Sequence, residues 1–189
     1  MNTCILRVMT AAIALVGSVA LWPQPAQADS GAFADTTAGV AAESIDITHV
    51  SVASTRKRIA VRIHVRDLPR AWDGDRKYEV WIDSAKTQKK PDFYMGAVSL
   101  ELYAGHTKGW DMIPGRIPGT PFPDPYGGLP VHFSKSAAGD YVALSMPARA
   151  IGRPQKVRVA VKTEKWNRGS ADSTDHLGKR RQFTAWVTR

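Results

Sequence analysis

The sequence predicts an all-β fold, an antiparallel β-sandwich or jelly roll of about 7–9 strands with one long loop rich in proline and glycine. Two observations carry this prediction. Apolar residues alternate with polar ones in short segments along the chain, and no segment shows a long helical period of 3.6 residues. Strands with one apolar face each must bury those faces against one another, which gives two packed antiparallel sheets.

The clearest alternating segment spans residues 59–66, where apolar side chains alternate with Arg62, His64 and Arg66. Because successive strand side chains point to opposite faces, this strand has a dry face and a basic, wet face. The alternation recurs at 78–82, 98–102, 142–146, 157–161 and 183–187, with Trp81 on the face opposite to the apolar one. We expect the core to contain Val61, Ile63, Val80, Val98, Leu100, Val142, Leu144, Val159 and Val161.

Two irregularities are predicted between and within these strands. Ile47 belongs to the first strand of the domain, but Val50 falls in the opposite phase, and a bulge near Thr48–His49 would restore the alternation. The segment 147–152 can form at most one helical turn, because Gly152 and the following proline end it.

The segment from Ala104 to Pro130 is predicted to be mostly loop. It is rich in glycine and carries six prolines, each of which removes a backbone donor that a sheet would need. Loops of this length in compact domains are often functional, and this one also carries Trp110, Phe122 and Tyr126.

The first 28 residues have the three parts of a cleavable signal peptide. A basic start is followed by the apolar run 8–21 and then by Ala26-Gln27-Ala28. The run is shorter than the about 20 apolar residues that span a bilayer. We therefore expect a secreted, extracellular protein that is cleaved after Ala28, begins at Asp29 and has no integral membrane segment after cleavage.

The mature chain is expected to be basic and free of disulfides. The only cysteine, Cys4, lies in the predicted signal peptide, and exported domains without disulfides are typical of bacteria. Residues 29–43 are small and polar, so we expect a flexible leader before a single domain at 44–189. Cleavage removes Arg7 from a chain of formal charge +9 and leaves +8. This charge favours anionic polymers as partners. We expect polysaccharide rather than nucleic acid, and the oligomeric state stays open.

The sequence contains no complete catalytic motif. No serine lies in a Gly-x-Ser-x-Gly elbow, the mature chain has no thiol, and no glycine-rich loop has the Gly-Lys-Ser/Thr ending of a phosphate-binding loop. Glu79, Asp83, Glu101 and Asp111 could supply the pair of carboxylates that a glycosidase needs, and salt bridges to Arg and Lys are the alternative role for these side chains.

Metal-binding patterns are also incomplete. No two of the five histidines have the short spacing of metal sites. Two acidic clusters, Asp73-Gly74-Asp75 and Asp172-x-x-Asp175-His176, offer oxygen ligands of the kind that calcium prefers, but neither matches an EF-hand loop. We expect no cofactor, with calcium as the one candidate ion.

The order of these segments resembles that of a group of small secreted β-sandwich proteins of actinobacteria. The resemblance rests on the run 45–52, on 59–68 and 78–83, and on the later segments 151–161 and 183–187. The opening, in which an acidic leader precedes Asp46 and a strand, is also distantly similar to the sugar-binding sandwiches of the CBM9 and DOMON type. This resemblance implies a sandwich fold and sugar binding.

Three functions follow from these observations. The first is a non-catalytic binding module for extracellular or cell-wall polysaccharide, either anionic or neutral. The alternatives are a cell-surface protein-interaction or inhibitor domain and a secreted hydrolase whose carboxylates form no recognisable motif. The predicted ligand-binding residues are Trp110, Tyr126 and Phe122 for stacking on sugar rings, and Arg62, His64 or Arg158 for anionic groups.

Overall fold

The computed structural model describes residues 29–36, 41–68, 76–84, 91–98, 101–108, 111–113, 131–135, 139–167 and 170–189. These residues form twelve strands and one 3-10 turn at Ala148–Ile151. The strands are β1 (Asp29–Ala34), β2 (Ile47–Ser54), β3 (Arg58–Val65), β4 (Arg76–Asp83), β5 (Phe93–Val98), β6 (Glu101–Lys108), β7 (Asp111–Ile113), β8 (Val131–Ser134), β9 (Asp140–Pro147), β10 (Lys156–Asn167), β11 (Ser170–His176) and β12 (Val187–Thr188).

The strands form two antiparallel sheets. The small sheet has the order β1-β2-β3-β9-β8, and the large sheet has the order β11-β10-β4-β5-β6-β7, with β12 paired to one end of β10. The all-β sandwich prediction is confirmed. The number of strands exceeds the prediction because β1, β7, β8 and β11 lie outside the alternating segments, and because the segment predicted as one strand at 98–102 is divided between β5 and β6, which pair at Val98↔Glu101.

The core lies between the two sheets, as the alternation predicts. Seven of the predicted core residues are buried there, with at most 3% of their surface exposed: Val61, Ile63, Val80, Val142, Leu144, Val159 and Val161. The side chain of Val98 and all of Leu100 lie outside the described part of the chain.

The predicted bulge and helical turn are both present. The pairing of β2 with β3 shifts between Ile47 and His49, which brings Ile47 and Val50 onto the same buried face. The 3-10 turn ends at Gly152, whose φ of 75° is in the left-handed region that glycine adopts without strain.

The structure differs from the predicted flexible leader at 29–43. Asp29–Ala34 pairs with β2 along its whole length as β1, and Phe33 packs against the core. Small polar residues can form such a strand, because the hydrogen bonds that pair it with β2 join backbone groups and do not depend on the side chains. One aromatic anchor then holds the strand on the sandwich.

The predicted loop at 104–130 begins as sheet. Its first residues belong to β6, which pairs with β7 from His106↔Ile113 to Lys108↔Asp111. The physical reason lies in the sequence, since the first of the six prolines is Pro114 and nothing before it blocks a ladder. Residues 114–130 lie outside the described residues.

The predicted last strand at 183–187 is shorter than expected. Only Val187–Thr188 pairs with β10 as β12, while Thr184 holds the preceding stretch against Val159 through its backbone N–H and its hydroxyl. No helical segment in the described part of the chain has the length and apolarity of a membrane span.

Candidate functional site: a row of tryptophans on the outer face of the large sheet

The outer face of the large sheet carries charged and aromatic side chains at positions fixed by the strand register. On β4 and β10 the positions between the core residues are paired as Glu79↔Lys162, Trp81↔Ala160 and Asp83↔Arg158. The core residues of both strands alternate with these positions, so all of them share the outer face.

A buried ion-pair network lies beneath this face. Glu79 is 4% exposed and accepts contacts from Lys77 Nζ at 2.6 Å, Lys162 Nζ at 2.5 Å and the Tyr94 hydroxyl at 2.5 Å. Lys162 Nζ also lies 2.8 Å from a carboxylate oxygen of Glu164. Each buried charge therefore has an opposite charge within hydrogen-bonding distance.

The network sets the protonation of its members. Burial, the largest single influence on Glu79, favours the neutral acid, but hydrogen bonds from Lys162, Lys77 and Tyr94 outweigh it and lower the pKa of Glu79. Burial likewise favours a neutral amine at Lys162, and its contacts with Glu164 and Glu79 outweigh this and raise the pKa of Lys162. Both groups are therefore ionised at neutral pH.

Three tryptophans lie along this face and form what we call the tryptophan row: Trp166, Trp81 and Trp186. Trp166 is 36% exposed, and its indole N–H donates to Glu164 at 3.3 Å. Trp81 is half-buried, with Lys162 Nζ 5.5 Å from its ring centre. Trp186 is 37% exposed at the other end.

Cations accompany each member of the row. Lys77 Nζ lies 6.0 Å from the centre of the Trp166 ring. The ring of Trp186 has Lys156 Nζ at 4.7 Å and the Arg158 guanidinium carbon at 4.6 Å. The residues of β10 that contact the tryptophan row run from Lys156 to Glu164. At about 3.3 Å per residue, this stretch of the strand is about 26 Å long.

A cleft of about 150 Å³ opens at the middle of the row. Its described lining consists of Trp81, Ala160, Val161, Lys162, His176, Arg180 and Arg181. We call it the basic cleft, since four of these side chains are cationic or can become so.

The segment after β11 builds the rim of the basic cleft. Leu177 is buried and its N–H donates to the Val161 carbonyl at 3.1 Å, which anchors the start of the segment. The chain then turns at 179–182, where the Gln182 N–H donates to the Lys179 carbonyl at 2.9 Å. Arg181, in the third position of this turn, has a φ of 62°.

His176 has a shifted pKa in the basic cleft. Its pKa is lowered, first by burial and then by the positive charges of Lys162 and Arg180, with smaller opposing effects from Glu164 and Glu79. The imidazole is therefore neutral at neutral pH.

The predicted ligand residues do not form one site. Arg62 and His64 lie on the outer face of the small sheet, where the His64 ring stacks on His49 at a centroid distance of 3.8 Å. Arg158 lies on the outer face of the large sheet and is tied to Asp83 by contacts of 2.7 and 2.8 Å. The sandwich core separates these two groups.

Other predicted residues fall outside the described part of the chain. Trp110, Phe122, Tyr126 and the cluster Asp73-Gly74-Asp75 belong there, and so do the side chains of Glu101 and Asp111.

The remaining acidic candidates have structural contacts. Asp83 is bonded to Arg158, and Glu79 is ionised by the network described above. The Asp175 carboxylate accepts the backbone N–H groups of Ile47 at 2.7 Å and His176 at 2.8 Å. Among the described residues, no three Asp, Glu, His or Cys side chains converge as metal ligands.

The tryptophan row was missed in the sequence, although period-two alternation contains the signal for it. Val157, Val159 and Val161 face the core, so alternation predicts an outward position for Trp166, at an even position of the same strand. The register of β10 against β11 shifts between Lys165 and Trp166, and the indole still contacts Glu164 on the outer face. Trp186 directly precedes Val187, which faces the core, so alternation predicts that Trp186 also faces outward. The aromatic residues of the proline-rich segment favoured Trp110 as the predicted site instead.

Comparisons with protein families, with curated proteins and with solved structures find no match to this chain. The resemblance to secreted actinobacterial sandwiches and to sugar-binding sandwiches therefore stays a prediction.

Proposed function

We propose that this protein is a secreted, non-catalytic module that binds an extended extracellular polysaccharide along the tryptophan row. The observation that carries the proposal is the alignment of Trp166, Trp81 and Trp186 on one outer sheet face. Indole rings combine a flat apolar surface with a polar N–H, which suits the apolar faces and hydroxyl edges of sugar rings. A row of about 26 Å suits a polymer better than a single sugar.

The distribution of apolar surface favours this function over a protein-interaction domain. Among the described residues, the large apolar side chains that are exposed are Trp166 and Trp186, and these stand at opposite ends of the row. Protein interfaces use larger continuous apolar patches, whereas separated rings with cations between them suit successive units of a sugar chain.

Glu79, the carboxylate beneath the tryptophan row, favours binding over hydrolysis at this face. A glycosidase needs one carboxylic acid whose pKa is raised so that it can donate a proton. The pKa of Glu79 is lowered, and its oxygens are engaged by two lysines and a tyrosine.

The test is affinity electrophoresis of the mature chain through gels that contain soluble polysaccharides, with and without Trp166→Ala and Trp186→Ala. Both rings are more than one third exposed, so each variant should melt within a few degrees of the wild type. Each should lose about fivefold in affinity, since stacking of a ring on an aromatic side chain contributes on the order of 1 kcal/mol.

Tyr141→Ala is the matched control, because Tyr141 lies next to His64 on the outer face of the small sheet. It should bind like the wild type. Full binding by the double tryptophan variant, or equal losses in the control, would refute the row as the binding surface.

A further inference from the structure

We propose that the outer edge of β1 is a dimer interface, at which two copies of the protein pair their β1 strands antiparallel and join their small sheets into one. β1 is an outermost strand of the small sheet, because it pairs with β2 on one side and with no other described strand. The inference concerns assembly and does not depend on the proposed function.

The backbone of β1 presents a regular row of hydrogen-bonding groups on its outer side. In an antiparallel pair, residues that bond to the partner strand alternate with residues whose N–H and C=O groups point away from it. The Asp35 N–H donates to the Thr48 carbonyl at 3.0 Å, so the odd-numbered positions of β1 bond to β2. Ser30, Ala32 and Ala34 therefore direct their N–H and C=O groups away from β2, and all three residues are exposed.

The C-terminal segment, residues 177–189, leaves this edge uncovered. It meets β1 at two points, where the Gly178 N–H donates to Asp35 Oδ1 at 2.8 Å and where Val187 packs next to Gly31. A groove of about 370 Å³ lies beside residues 32–36 of β1 and its end, and none of its described lining residues is charged. A strand can therefore approach the edge without displacing a packed or charged side chain.

β1 lacks the features that keep other edge strands from pairing. Natural edge strands are protected by charged side chains, proline, bulges or short length. Among the described edge strands, β7 and β8 have only three and four residues, while β11 carries Asp172 and Asp175 and lies opposite a shift of register in β10. β1 has six residues, pairs with β2 without a shift, and contains neither charge nor proline at 30–34.

A second copy of β1 is the partner that this edge fits. Two identical edges can pair antiparallel about a two-fold axis, which is the symmetry of most homodimers. Pairing centred on Ala32 sets Ala32 opposite Ala32 and Ser30 opposite Ala34, so that the outward groups of both strands form about six hydrogen bonds. The side chains at these positions are small and uncharged, so no like charges oppose each other across the axis.

The same composition argues against a partner selected by charge. The chain as a whole is basic and favours anionic partners, but neither positions 30–34 nor the lining of the groove offers a cation. The paired stretch is only five residues long, so the interface is small. We therefore expect a reversible dimer that forms at high protein concentration, as for interfaces below about 1,200 Å².

The first experiment is sedimentation equilibrium of the mature protein from about 10 µM to about 1 mM, where the mass should rise from monomer to dimer. Ala32→Lys or Ala32→Glu sets like charges opposite each other at the axis and should weaken the dimer about fivefold or more. An equimolar mixture of the two variants sets opposite charges together and should dimerise again. Because Ala32 is exposed, both variants should melt within a few degrees of the wild type.

Thr174→Lys is the matched control for these charges. Thr174 is an exposed residue of β11, the edge strand of the other sheet. The variant adds the same charge to the chain as Ala32→Lys does, and it should dimerise like the wild type.

The second experiment is disulfide cross-linking, which tests the register. The mature chain has no cysteine, since Cys4 lies in the predicted signal peptide. Opposed residues of a hydrogen-bonded pair have Cα atoms about 5.5 Å apart, within the about 4.4–6.8 Å that disulfides span. Ala32→Cys should therefore give a linked dimer on a non-reducing gel after mild oxidation, whereas Thr174→Cys should stay mostly monomeric.

Three results would overturn the inference. The first is a wild-type protein that stays monomeric up to about 1 mM. The second is a mixture of the Ala32→Lys and Ala32→Glu variants that dimerises no better than either alone, because the charge at the axis then has no effect on pairing. The third is equal cross-linking of the Ala32→Cys and Thr174→Cys variants, which shows random collision. None of these results changes the test of polysaccharide binding by the tryptophan variants.

Discussion

Replacing Glu79 with Gln tests the buried network under the tryptophan row. The glutamate is 4% exposed and is the common partner of Lys77, Lys162 and Tyr94. Removing one member of a buried ion pair costs about 3–5 kcal/mol, since the remaining charge stays in a poorly solvated place. The side chains of Lys77 and Lys162 are 25% and 20% exposed, and Lys162 keeps Glu164, so we expect about 3 kcal/mol.

In a domain of this size, such a loss lowers the melting temperature by about 6–12 °C. The assay is thermal unfolding followed by circular dichroism at neutral pH. Glu43→Gln makes the same change at an exposed position and should lie within about 0.5 kcal/mol of the wild type.

The pH dependence gives the result a second, independent check. Because the pKa of Glu79 is lowered in the folded state, its contribution to the free energy of unfolding is complete above the ordinary glutamate value of about 4.3. It is lost as the pH falls through the lower folded value. The difference in free energy of unfolding between Glu79→Gln and the wild type should therefore become smaller in acid. A variant as stable as the wild type at pH 7, or a deficit that does not change in acid, would refute the account of the network.

Three further predictions concern other parts of the molecule. Arg181→Gly should stabilise the fold by about 1 kcal/mol in chemical denaturation, because the strained left-handed backbone is relieved; a destabilised variant would contradict this. Burial, His49 and Arg62 lower the pKa of His64, so wild-type stability should fall as the pH drops below about 6.5. His64→Gln should reduce this dependence, whereas the exposed His132→Gln should preserve it, and identical pH profiles would exclude His64 as the cause. If the predicted signal peptide is removed on export, N-terminal sequencing of protein from the culture fluid should find Asp29 or a residue next to it, and an intact start at Met1 would exclude cleavage.

The sequence predicted the core and the sandwich because alternation is a direct consequence of strand geometry. Val61, Val80 and Val159 each lie on the apolar face of a strand, and that face must be buried in any order of the strands. The bulge between Ile47 and His49 could be predicted for the same reason, since the change of phase admits few other solutions.

The candidate site was less accessible to the same reasoning. Alternation shows that Trp81, Trp166 and Trp186 face outward, but it does not show that β4, β10 and the C-terminal segment lie side by side. That depends on strand order, which the pairing of Trp81 with Ala160 and of Val157 with Val187 reveals. Alternation likewise does not show that Arg62 and Arg158, two candidates for contact with an anionic group, lie on opposite outer faces.

The contact between β1 and β12 has a consequence for how the domain folds. These strands are near the two ends of the described chain, yet they approach so closely that a β-carbon on Gly31 would lie 3.0 Å from a methyl group of Val187. Contacts of such high sequence separation must wait for most of the intervening chain to order, because the entropy of closing a long loop opposes them. Folding should therefore be slow and cooperative, and strand β2 should stay uncovered along one edge until β1 joins it. A partly folded chain in this state can form strand pairs with a second copy at the uncovered edge of β2.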